Sequence, residues 1–161
     1  MNCEGTIDMD NGFSGVGLSL LQELRDTYRS PIITFGVSEN ENEQKSSSDE
    51  KKRRKFLNLS YSTLKIREMS SLYFPLNHNW AKSAAKTLPT LNFDPNSRFH
   101  TSAILASALH TATLPFRLSQ NFQSMRHYVS LLTPFPRLNL VSLSAALPVT
   151  GLPNHPLYNP L

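Results

Sequence analysis

One cysteine, Cys3, stands in the 161 residues, so the chain has neither an internal disulfide nor a cysteine-based zinc site. Acidic residues run out early. Beyond Glu68 only Asp94 carries a carboxylate, which excludes a paired-carboxylate acid/base site and an oxygen-ligand metal cage from the C-terminal half. Long apolar runs are missing too: "SAILASALH" and "LNLVSLSAALPV" fall well short of the roughly 20 residues that span a bilayer. The opening "MNCEGTIDMD" is acidic and lacks an apolar centre, unlike a secretory signal or an Arg-rich presequence.

Basic charge is present but concentrated. Lys51, Lys52, Arg53, Arg54 and Lys55 are consecutive, and without them the chain is close to neutral, so the formal +4 describes one segment. No aromatic side chains interleave with these cations, which argues against a nucleic-acid groove. Beside "SSSDE" the run also has the form of a nuclear-localisation or anionic-surface patch. The histidines, His78, His100, His110, His127 and His155, show no metal-ligand spacing. Cys3 and Ser14 lie in no nucleophile motif.

The first ordered unit is "MDNGFSGVGLSLLQELRDTY", residues 9 to 28. Thr6 to Met9 reads as the end of a strand. Leu18, Leu21, Leu24 and Tyr28 then lie at helical spacing, predicting a helix from about Gly15 to Tyr28. "PIITFGV", residues 31 to 37, is a β-branched and aromatic run that reads as a buried strand. Strand, glycine loop, helix and strand make a βαβ unit, and the fold class is α/β with a parallel sheet. In the loop, Gly12, Gly15 and Gly17 lack Cβ atoms, so backbone N–H groups can approach an anion at the start of the helix. The same glycines fit a plain strand-to-helix turn with Ser14 as N-cap. The spacing is neither a Walker A site nor a G-x-G-x-x-G fingerprint.

Residues 39–55 contain no apolar side chain and are expected to form a disordered insert. A helical pattern resumes from Phe56 to about Ser70, and "LYFPLNHNWAKSAAKTLPTLNFDPNS" reads as a proline-punctuated connection. A helix over about Phe99 to Ala112, small and apolar nearly all round, is expected to be buried centrally. "SMRHYVSLL" gives one more helix, and "TPFPRLNLVSLSAALP" turns at its prolines into a last strand. Residues 149–161 read as an irregular tail.

Two separated stretches resemble tubulins: "TPFPRLNLVSLSAALP" matches their Pro-Phe-Pro-Arg-Leu strand entry, and the glycine loop looks like a degenerate GGGTGSG phosphate loop. Within that superfamily the order "NGFSGVG", "IITFG", "FHTSAILASALHTATLPFRL", "SMRHYVSLL" is similar to the misato family. The resemblance implies an incomplete tubulin-like, Rossmann-like domain over residues 1–148. It puts a degenerate phosphate loop at Asn11, Gly12, Phe13, Ser14, Gly15, Val16 and Gly17, with Phe13 crowding the phosphate space. It sets Phe99 near the asparagine that tubulins offer to guanine. It also sets His127 where α-tubulin carries the acidic residue that activates hydrolysis in the neighbouring subunit. Only about ten residues precede Gly12, so an internal fragment is expected, lacking the earlier strands and first phosphate loop.

Taken together, the resemblance implies a non-enzymatic protein supporting mitochondrial distribution and morphology, with a link to spindle microtubule assembly. Its expected partners are proteins of the mitochondrial surface or the microtubule machinery. It would be cytoplasmic and peripheral to mitochondria, without a membrane span, a nucleic-acid partner or a cofactor, GTP being the one candidate. Two rival readings are a GTP-binding tubulin-like cytoskeletal subunit and an adaptor acting through residues 51–55.

Overall fold

The computed structural model describes residues 3–38, 48–87, 91, 93–118, 123–135 and 138–146. Its centre is a parallel sheet in the order β1 (Cys3–Asp8), β2 (Ile32–Val37), β3 (Leu72–Leu76). Cys3 is paired with Ile32 and Ile33 with Leu72, so the strands start level. The crossovers are α1 (Phe13–Thr27) and α2 (Asp49–Met69). After β3 come α3 (Trp80–Thr87), α4 (Arg98–Arg117) and α5 (Met125–Leu132). The expected α/β class and the βαβ unit are both present.

Alternation along β2 and β3 divides the core into two layers. Ile33, Phe35, Leu72, Phe74 and Leu76 pack with Phe116 of α4 and Met125 of α5. Phe35 and Phe74 stack with ring centroids 5.1 Å apart. On the other face Ile32 and Tyr73 pack with Leu21 of α1, Ile66 of α2 and Met9. A polar seam crosses that second layer. Ser70 Oγ, at the end of α2, lies 2.7 Å from both Thr34 Oγ1 and Ile66 O, which satisfies the fully buried Thr34.

Five expectations need correction. The first concerns the insert: residues 49–55 form the first two turns of α2, while 39–47 lie outside the described residues. Asp49 and Glu50 sit at the positive end of the helix dipole, Lys52 pairs with Asp49 at 3.5 Å, and Arg54 pairs with Glu50. Charge pairing sustains there a helix that has no apolar face. Second, α1 begins at Phe13 instead of Gly15, with Gly12 as its N-cap.

Third, the stretch read as a proline-punctuated connection contains β3 and α3. Pro75 misled the reading, because proline is tolerated in a strand wherever its missing N–H faces outward. In β3 the odd-numbered residues face the outer edge: Tyr73 N donates to Asn139 O at 2.7 Å and Val141 N donates to Tyr73 O at 3.0 Å.

Fourth, the expected last strand is a single parallel bridge between Tyr73 and Leu140. The next donor along that edge would be residue 75, and Pro75 has none, so the ladder stops after one step. Pro136 and Arg137 of the strand entry, like the tail 149–161, lie outside the described residues.

Fifth, α4 is not buried all round. Thr101, Leu105, Leu109, Thr113 and Phe116 turn toward the sheet, whereas Ser102, Ala103, Ala106, Ser107 and His110 are exposed. Its other face, with mostly small side chains, is not covered by any of the described residues.

Candidate functional site

The glycine loop lies where β1 hands over to α1, at the C-terminal ends of the strands, where parallel α/β sheets place their ligands. Its backbone is fixed by side chains of its own. Asp8 Oδ1 accepts from Asp10 N at 3.1 Å, and Asp8 Oδ2 accepts from Asn11 Nδ2 at 2.7 Å. Asn11 Oδ1 in turn accepts from Phe13 N at 2.9 Å. Ser14 N donates to Asn11 O at 3.3 Å, and Gly15 N donates to Gly12 O at 3.1 Å. The amides of residues 10, 13, 14 and 15 are thus bonded within the loop, and aspartate and asparagine side chains favour such local turns.

The glycines divide by role. None of Gly12, Gly15 or Gly17 has a positive φ, and a Cβ on Gly12 or Gly15 would meet nothing within 4 Å. At Gly17 a Cβ would lie 2.7 Å from Ile7 Cγ2, so this glycine lets α1 close onto β1. Val16 is exposed on the outer face of α1. The Phe13 ring, 70% exposed, lines with Leu20 and Leu24 a groove running along β1.

Ser14 is not the N-cap. Its buried Oγ donates to Asn11 O at 2.8 Å and accepts from Ser62 Oγ of α2 at 2.7 Å. Lys55 and Asn58 of α2 also reach this loop. Lys55 Nζ stands 3.1 Å from Asp10 Oδ2, with side chains only 18% and 7% exposed, and Asn58 Nδ2 donates to Asp10 O at 3.5 Å. Sequence reasoning missed Asp8, Asp10, Lys55 and Ser62. An Asx signal at Asp8 and Asn11 was there to be read, but Lys55 and Ser62 become neighbours only through the crossover.

A triphosphate fits this donor set poorly. It would have to displace Asn11 Oδ1 from Phe13 N, and it would face the carboxylate of Asp8 at the helix N-terminus, a like-charge contact. The other residues compared with the tubulin pattern are far from the loop in sequence and on different elements. Phe99 is 78% exposed in the first turn of α4, and His127 is exposed in the first turn of α5. His127 N donates to the Ser124 Oγ cap at 3.1 Å.

A tubulin-domain family model matches residues 6–118, which hold the loop, most of the sheet and α4. Among curated proteins, the chain is 31% identical over 155 residues to protein misato homolog 1 of Homo sapiens, covering 93% of this chain and 27% of the relative. It is 29% identical over 150 residues to protein misato of Drosophila melanogaster, covering 88% of this chain and 26% of that relative. The chain therefore spans about a quarter of the length of the relatives it matches. A parallel α/β sheet, a glycine loop opening its first helix and this matched span agree: the chain belongs to the misato family of tubulin-like proteins.

Proposed function

We propose that this chain is the tubulin-like part of a non-enzymatic protein that supports mitochondrial distribution and morphology through protein contacts. The observation carrying the non-enzymatic part is the self-bonded loop, in which Asp8 and Asn11 take the positions an anion would need. Two side chains hold the loop from within. The mitochondrial part rests on the misato resemblance, as do the link to spindle microtubule assembly and the cytoplasmic position at the outer membrane.

Two measurements test the reading. Calorimetric titration of the 161-residue chain with GTP is expected to give a Kd above ~100 µM, since single-loop phosphate contacts leave little surplus over the cost of association. Micromolar affinity would favour the GTP-binding cytoskeletal subunit. In cells depleted of the full-length protein, re-expression carrying Gly15→Ala is expected to restore mitochondrial distribution. A variant that accumulates normally yet leaves mitochondria clustered would overturn the proposal. The adaptor reading is weakened by Lys52, Arg54 and Lys55, whose charges are answered by Asp49, Glu50 and Asp10.

A further inference from the structure

The opposite end of the sheet, where β2 and β3 begin, holds a second concavity of about 440 Å³. Three guanidinium groups from segments distant in sequence line it: Arg25 in the last turn of α1, Arg29 in the connection from α1 to β2, and Arg126 in the first turn of α5. Ser30, Ser71 and Tyr28 add hydroxyls, and among the described residues no carboxylate lines the pocket.

Of the three cations only Arg25 has an evident structural task. Its Nη1 donates to Met69 O at 2.8 Å and to Glu68 O at 3.4 Å, anchoring the C-terminal end of α2 as a cation does at the negative end of a helix dipole. This also orients the guanidinium while leaving several of its five N–H donors for other partners. The side chains of Arg29 and Arg126 make no hydrogen bond or ion pair among the described residues. Ser71 Oγ accepts from Ile32 N at 3.1 Å, which leaves its proton to donate. Gathering like charges without an internal counter-charge is unfavourable unless an anion joins them.

We propose that this pocket binds the phosphate of a small soluble phosphomonoester. A carboxylate has two oxygens and satisfies one guanidinium fork, whereas a phosphomonoester presents three oxygens and close to two negative charges. That count matches three guanidinium groups with a hydroxyl donor beside them. Pro31 and Val129 give the pocket an apolar wall for the ester's carbon chain, and its volume falls in the range of small-molecule sites.

The test is calorimetric titration of the 161-residue chain at low salt with n-butyl phosphate and, separately, inorganic phosphate. The ester is expected to bind several-fold more tightly than inorganic phosphate, and the double variant Arg29→Gln, Arg126→Gln to weaken ester binding by about tenfold or more. Without ligand, that variant is expected to melt at or above the wild-type temperature, since a repulsion has been removed. If it fails to fold, Arg29→Lys with Arg126→Lys keeps the charges but loses the planar forks, and weaker ester binding is again expected. Unchanged affinity in the folded variant, or no binding of the ester up to roughly 10 mM, overturns the site. Inorganic phosphate binding as tightly as the ester overturns the ester as its ligand.

Discussion

Lys55 Nζ lies 3.1 Å from Asp10 Oδ2, joining the last of five consecutive basic residues to the loop that opens the first helix. Both side chains are largely withdrawn from solvent, so the pair is a clamp between α2 and the β1–α1 turn and not a surface ornament. Lys55→Ala removes the cation that pairs with the largely buried Asp10 carboxylate and is expected to cost about 1–3 kcal/mol. Arg53→Ala, two residues away and exposed, is expected to change stability by less than about 0.5 kcal/mol. Urea unfolding of the two variants checks the contrast, and equal effects would mean that the pair contributes nothing.

Gly15 and Gly17 are expected to part company on substitution. Gly15→Ala adds a methyl group to open space in an ordinary helical conformation, and is expected to stabilise the chain by roughly 0.4–1 kcal/mol. Gly17→Ala drives a Cβ into Ile7 and is expected to cost about 1–3 kcal/mol. Pairing it with Ile7→Val, which removes one methyl group, should recover part of the loss. Thermal melting of the three variants decides.

Ser14 and Ser62 form a buried hydroxyl pair between α1 and α2, one feeding the other. Either single change to alanine leaves a polar atom short of its partner and is expected to cost about 1–2 kcal/mol. The double variant is expected to cost less than the sum of the singles. Additivity in the cycle would refute the coupling.

Burial holds the Tyr73 phenol above its ordinary pKa, a shift that the hydrogen bond with Thr63 only partly opposes. The folded state therefore keeps the proton at a pH where the unfolded chain has released it. The sign follows: this contribution is intact below the unfolded value near 10.0 and is lost as pH rises above it. Melting temperatures between pH 9 and 11, in roughly half-unit steps, should fall more steeply for the wild type than for Tyr73→Phe. Parallel curves would exclude the tyrosine as the cause.

What could be read from the sequence was what periodicity writes locally. Leu18, Leu21 and Leu24 announced α1, "IITFGV" announced β2, and "MRHYVSLL" announced α5, since each carries its own pattern of burial. The first turns of α2 were illegible because "DEKKRRK" has no apolar face, and its helix depends on charge pairs and on Asp10, 45 positions away from Lys55. Strand β3 was hidden by Pro75. The site was half legible: its glycines and Asn11 stood out as a loop, while Asp8 passed unread and the role of Asn11 went unseen, because the amides they occupy are backbone atoms two residues on.

Pro75 also sets the manners of the sheet toward other molecules. Strand edges are templates on which a foreign strand can grow, and each further residue zipped on makes detachment slower. On the β3 side such growth is cut short beyond Tyr73, where the chain's own segment around Leu140 already occupies the single rung. The fold thus meets crowded surroundings with one side closed to strand recruitment. Lacking a donor at the next outward position, Pro75 keeps that edge too short for a second rung among the described residues.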